Sequence, residues 1–412
     1  MRGSMTRREF LRWAGQAGTA LAGASLLWGT SGCAGRPVAG TGGSSAAPAE
    51  PFLREAFHYA GMEGGLDCTT CHSPAEPARV LYCHVPHGQN YVRCGLCPRG
   101  CIISEGARGE CGVRENRGGR LHTLVYGRVC ALNNDPIEKK PFFHFLPGSY
   151  ALSLATAGCN LHCLYCQNWS ISQAKPESVQ SSHLVPNEVA AYASRLASKS
   201  IAYTYTEPVV FLEYVLGSAR EARARGLRNV VVSAGYIQVQ PLQELCRSVD
   251  AIKIDLKAIT EEFYRTVCGA TLEPVLTALK VIRSSGIHLE IVNLVVPTLN
   301  DSQEDLRALA GWVVSELGPE VPLHFSRFYP QYRLTNLPPT PQETLEMARS
   351  IALEEGAKYV YIGNLPGHPA SNTYCPGCGK LLIERVGYSV MQNHVQNGSC
   401  PACGERIPGV WQ

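Results

Sequence analysis

From Tyr150 to about Pro366 the chain alternates short apolar or β-branched runs with stretches of helical periodicity, and few folds satisfy that alternation. The strand candidates are Ala151–Thr156, Ser200–Tyr205, Asn229–Ser233, Ala251–Leu256, Leu289–Val296, Leu323–Phe328 and Tyr359–Gly363. Between them lie helical stretches such as 187–197 and 304–314, the latter with Asp301 or Ser302 as its N-cap. The runs are apolar along their length, so both strand faces are buried. Buried strands separated by helices mean a parallel sheet with right-handed crossovers. Six or seven such units predict an α/β fold, a partial (βα)6-type barrel, with its chemistry at the strand C-termini.

The loop leaving the first strand carries Cys159, Cys163 and Cys166 in a Cys-x3-Cys-x2-Cys spacing. Thiolates are soft ligands suited to iron–sulfur clusters. Three cysteines leave one iron of a 4Fe–4S cubane without a protein ligand, open to something else. A structural site would have four. The bland alternative is a fortuitous zinc site or three unrelated core thiols.

The chain holds 18 cysteines, mostly in short-spaced pairs, which in an intracellular protein reads as metal binding rather than disulfides. Cys375-x2-Cys378 and Cys400-x2-Cys403, each with a following glycine, flank the strand-like 381–386 and predict a structural zinc ribbon. Cys94, Cys97, Cys101 and Cys111 lie on glycine-rich turns and can close a zinc or an iron–sulfur site. Cys68-Thr-Thr-Cys71-His72 has the form of a c-type haem attachment site; Cys83, His84 and His87 can instead complete a zinc site, or the segment is an unligated loop. Cys130, Cys246, Cys268, Glu213 and His288 read as structural.

Thr6-Arg7-Arg8-Glu9-Phe10-Leu11 and the Ala/Gly-rich stretch behind it resemble a twin-arginine export signal, too short and glycine-rich for a membrane span. It points to export or membrane anchoring. The expected organisation is a signal segment over 1–34, a flexible linker over 35–67, a Cys-rich metal-binding module over 68–149, the barrel over 150–367 and the ribbon over 368–412. A net charge of +3 gives no case for nucleic acid.

The three-cysteine loop, with Tyr165 before its last cysteine, resembles that of radical SAM enzymes. Further motifs sharpen the likeness: Cys94-x2-Cys-Pro-Arg-x-Cys101, Asn133 to Phe142, His144-Phe-Leu-Pro-Gly148, Cys166-Gln-Asn-Trp-Ser-Ile-Ser172 and Ile407-Pro-Gly-Val-Trp411. From about Val92 onward the chain resembles the radical SAM enzyme of the AmmeMemoRadiSam system, related to the pyruvate formate-lyase activating enzyme. The resemblance implies that SAM (S-adenosylmethionine) chelates the open iron and is reductively cleaved to a 5′-deoxyadenosyl radical; SAM and a strong reductant belong to the cytoplasm, in tension with the export-like segment. It also implies roles at the strand ends. Glu207 accepts from the SAM amino group, and Ser233 lies in the element after the third strand, where Ala234 replaces the usual Asn. Asp255 and Lys257 resemble the ribose-contacting element, and 295–301 the segment beside adenine. Arg327 suits a carboxylate of SAM or substrate. No catalytic residue is expected beyond the cluster ligands.

The function expected is hydrogen abstraction from an unidentified small molecule or protein residue. The alternatives are activation of a glycyl radical enzyme, or an exported haem/iron–sulfur electron carrier without chemistry of its own. The partners implied are an external electron donor, the substrate and the other AmmeMemoRadiSam proteins.

Overall fold

The computed structural model describes residues 51–62 and 90–412. The export-like segment and the Cys68–His87 cysteines lie outside the described residues.

An eight-stranded sheet forms the centre. Its strands are β1 (Ala131–Pro136), β2 (Tyr150–Ala155), β3 (Ser200–Tyr203), β4 (Arg228–Ser233), β5 (Ala251–Asp255), β6 (His288–Val295), β7 (Leu323–Arg327) and β8 (Val360–Gly363). Strands β2 to β8 follow one another in parallel, and β1 pairs antiparallel with β2 at the edge. Six helices make the crossovers: α1 (Pro186–Arg195), α2 (Leu212–Arg223), α3 (Val239–Ser248), α4 (Glu273–Ser284), α5 (Gln303–Leu317) and α6 (Gln342–Glu354). This is the (βα)6 arrangement expected, and the strand bounds differ from expectation by a residue or two at most. Ser302 caps α5, its side chain accepting from the Asp305 amide at 3.0 Å.

Two expected boundaries move. Residues 54–62, expected within a linker, hold two short strands, one pairing with Arg120–Thr123 and one with Tyr91–Cys94. The Cys-rich module, expected to run to 149, gives up Ala131–Pro136 to the barrel sheet. Its remaining strands dock on the barrel through one buried ion pair. Arg114 Nη2 donates to both carboxylate oxygens of Glu213 in α2 at 2.7 Å, and Glu213 also accepts from the Phe57 amide at 2.7 Å.

A second buried carboxylate closes the other side. Glu290 of β6 accepts from the amides of Phe143 and His144 and bonds the rings of His288 and His324 at 2.7–3.0 Å. Burial raises its pKa, but the two histidines outweigh burial and hold it well below the usual carboxylate range. The 142–146 segment fixed this way receives the chain's end. The Val410 amide donates to His144 O at 2.8 Å, and the Leu146 amide to Val410 O at 2.7 Å. Gly409 is required here, because a Cβ would lie 2.6 Å from His144 O. The conspicuous motifs His144–Gly148 and Ile407–Trp411 are thus two sides of one joint.

Replacing one partner of the Arg114–Glu213 pair strands a buried charge, at roughly 3–5 kcal/mol by the behaviour of such pairs. Glu213→Leu is therefore expected to shift the denaturation midpoint strongly, and Arg114→Leu/Glu213→Leu much less, in denaturant titrations of both variants.

Candidate active site at the strand C-termini

The three-cysteine loop has almost no regular structure, so its backbone is satisfied from elsewhere. The His162 amide donates to Cys268 O and the Leu164 amide to Val267 O, both at 2.9 Å; the amides of Arg333 and Leu334 donate to Leu164 O. Arg99 reaches in from the Cys-rich module, its Nε donating to Asn160 O at 2.9 Å and its Nη2 to Gly269 O. Asn160 Nδ2 donates to Tyr236 O at 2.7 Å. Cys268, read as structural, supports the loop through its carbonyl and through a 3.8 Å contact of its Sγ with the Tyr165 hydroxyl.

Gly158 enters the loop at φ +98°, where an added Cβ would lie 2.5 Å from Val113 Cγ1 and 2.8 Å from Cys111 O. The module's backbone therefore lies directly against the loop.

Cys159, Cys163 and Cys166 open into one cavity of about 490 Å³. Glu207, Ser233, Asp255 and Lys257 line it too, so four of the five polar residues expected from sequence come together with the cysteines. Arg327 does not. Its Nε donates to Thr340 O at 2.8 Å and its guanidinium lies over the Tyr329 ring, while its neighbour Ser326 lines the cavity instead. Adjacent strand residues face opposite sides, so Ser326 rather than Arg327 shares the cavity face. Lys253 was missed, although it shares the face of Asp255 at a two-residue spacing.

Glu207 is almost fully buried and largely occupied. It accepts from Ser233 Oγ at 2.6 Å, the Ala234 amide at 2.8 Å and the Val209 amide at 3.2 Å. Three of its roughly four acceptor positions are thus used internally. Its first effect is to fix the turn after β4, with one position left for a ligand. Burial raises its pKa against those hydrogen bonds. Asp255 sits between Lys253, which donates to it, and Lys257, whose Nζ lies 3.4 Å away. Burial raises the Asp255 pKa, yet the two lysines prevail and lower it, so it presents an ionised acceptor to the cavity. Burial likewise opposes the Lys257 charge, but Asp255 together with the neighbouring Cys163, Cys268 and Tyr264 outweighs it and holds its pKa above the ordinary lysine range. From the 295–301 segment, Asn300 Nδ2 donates to Lys257 O at 2.7 Å and so braces this strand end.

The donor set fits an iron–sulfur cluster with a cationic organic ligand. Three thiols stand at one end of a cavity whose other walls offer carboxylates, a hydroxyl and amines. The ribbon contributes as well: Tyr388, at the tip of its Leu381–Val386/Ser389–Asn393 hairpin, lines the same cavity.

In the ribbon itself the Sγ atoms of Cys375, Cys378, Cys400 and Cys403 all lie within 4.8 Å of one another. Each pair sits on a turn whose glycine, Gly379 or Gly404, has φ near +75° and donates to the carbonyl of the first cysteine at 2.9 Å.

The Radical SAM superfamily profile matches residues 153–310. An uncharacterized protein of Methanocaldococcus jannaschii is 51% identical over 320 residues, 77% of this chain and 95% of that protein. The pyruvate formate-lyase 1-activating enzyme of Escherichia coli K12 is 22% identical over 222 residues, 50% of this chain and 89% of the enzyme. A domain of a pyruvate-formate lyase-activating enzyme from Bacteroides vulgatus superposes at a TM-score of 0.37 and 15% identity, covering 40% of this chain and all of that domain. The chain belongs to the radical SAM superfamily, and it is an enzyme of the radical SAM kind, with homologues among the pyruvate formate-lyase activating enzymes.

Gly158→Ala is expected to cost roughly 2–4 kcal/mol, from overpacking plus the strained φ. Gly226→Ala, at φ +71° with nothing within 4 Å, keeps only the strain and is expected to cost about 1 kcal/mol. Paired denaturant titrations measure the difference.

Proposed function

We propose that Cys159, Cys163 and Cys166 hold a 4Fe–4S cluster and that the chain cleaves S-adenosylmethionine reductively to abstract a hydrogen atom from its substrate. The observation that carries this reading is the meeting of the three cysteines with Glu207, Ser233, Asp255 and Lys257 around one cavity. The cluster and SAM together supply, on one-electron reduction, a 5′-deoxyadenosyl radical. The chain's own residues bind and orient. Glu207 fixes Ser233 and the Ala234 amide at the cavity wall and keeps one acceptor position for the SAM ammonium. Asp255, kept ionised by its lysines, accepts from ribose hydroxyls. Lys257, read from sequence as able to hold a carboxylate or other anion, and Lys253 oppose anionic groups. An external low-potential carrier supplies the electron, and the other AmmeMemoRadiSam proteins are proposed as partners.

A second reading, activation of a glycyl radical enzyme, is supported by the similarity to pyruvate formate-lyase activating enzymes and requires a partner carrying the target glycine. The ribbon cysteines are proposed to hold one zinc ion, which would supply folding energy to a segment too small to stand alone.

Anaerobically reconstituted protein, given SAM and dithionite, is expected to form 5′-deoxyadenosine. The Cys159→Ala/Cys163→Ala/Cys166→Ala variant is expected to form none. Equal product from both would sink the assignment of the loop. Cys378→Ser/Cys403→Ser is expected to lose about one zinc per chain, by metal analysis, and to melt at lower temperature.

A further inference from the structure

Apart from that site and the ribbon, four further cysteines lie together. Cys94, Cys97, Cys101 and Cys111 line a second, small cavity on the module side of the three-cysteine loop. Local backbone bonds hold them there. The Cys94 amide donates to Cys101 O at 2.9 Å, the Gly100 amide to Cys97 O at 3.1 Å and the Gly112 amide to Gly109 O at 2.8 Å. Gly109 is packed against Cys101, since a Cβ there would lie 3.6 Å from Cys101 Sγ.

The separation of the sulfurs distinguishes two kinds of metal. Ligands of one tetrahedral zinc stand about 3.8 Å apart, given Zn–S bonds of about 2.3 Å. The ribbon meets that demand, with Cys375 and Cys403 sulfurs 3.5 Å apart and Cys378 and Cys400 sulfurs 3.8 Å apart. Among the described residues the ribbon is the only group of three or more such ligands drawn within 4.8 Å. The module's four cysteines share a cavity, but among the described residues no three of their sulfurs lie within 4.8 Å of one another, a looser set than the ribbon's. Four thiolates on the four different irons of a cubane stand farther apart than four on one ion.

A further observation points the same way. Arg114 lines this cavity, is 1% exposed, and its Nε–H has no acceptor, although its Nη2 is spent on Glu213. Cluster sulfides and thiolates accept such a donor. Leu96, Ile103 and Val210 complete an apolar wall.

We propose that Cys94, Cys97, Cys101 and Cys111 hold a second 4Fe–4S cluster, ligated by protein at all four irons and closed to SAM. The site is separate from the loop of Cys159, so its test does not depend on SAM cleavage.

The experiment uses the full chain carrying Cys159→Ala/Cys163→Ala/Cys166→Ala, reconstituted anaerobically with iron and sulfide and then desalted. Iron, sulfide and zinc are counted, and the dithionite-reduced protein is examined by EPR with and without SAM. About four irons and four sulfides per chain are expected to remain, half the wild-type content, with a reduced-cluster signal that SAM leaves unchanged. Adding Cys97→Ser and Cys111→Ser is expected to remove that iron while the ribbon keeps its zinc, which shows that the chain still folds. Two zincs with no iron in the first variant would overturn the proposal. So would iron that persists in the second variant, or a signal that changes on adding SAM.

Discussion

Every buried backbone amide and carbonyl needs a partner, and the twelve residues from Ala157 to Asn168 supply few of their own, such as the Cys166 amide to Cys163 O at 3.1 Å. Much of the structure answers that demand. The short helical segment before Gly269 offers the carbonyls of Val267 and Cys268, the 333–334 turn offers amides, and Arg99 offers a fork from outside the barrel. A strand end alone would leave the loop mobile, with its three thiols at no fixed separation. Held from three directions, it presents them to one cavity.

The two buried carboxylates serve the same end at longer range. Glu213 fixes the module whose Val113 and Cys111 pack against Gly158. Glu290 fixes the 142–146 segment, to which the chain's last residues are joined. Neither carboxylate lines the cavity, and both are charged groups whose stranding would cost more than their pairing yields. The module and the ribbon are therefore not free appendages of the barrel.

The parallel strands were legible because each is buried on both faces and reads as an apolar run; the runs at 229–233 and 289–296 show it plainly. Ala131–Pro136 was not, because Ala-Leu-Asn-Asn-Asp-Pro has neither alternation nor β-branching and becomes a strand only by pairing with β2. The strands at 54–62 were hidden for a related reason: they complete small sheets whose partners lie more than thirty residues away. At the site, the cysteines were readable from residue type and spacing, and Asp255-Leu-Lys257 from the family resemblance. Side-chain chemistry singles out Arg327, whereas strand parity puts Ser326 on the cavity face and points to Lys253 beside Asp255. Two of the three donors that occupy Glu207, Ser233 Oγ and the Ala234 amide, come from the end of β4 and leave no trace in the sequence around Glu207.

The hairpin that places Tyr388 at the cavity wall has its own cysteine-bound foundation and joins the barrel through Arg385, which donates to Phe143 O at 2.8 Å, and through the Gly409 joint. Its tip can change in length or sequence without disturbing a single bond of the three-cysteine loop. One wall of the cavity is thus supported independently of the rest: a change in the hairpin would alter what the cavity admits while the supports of the three-cysteine loop stay in place.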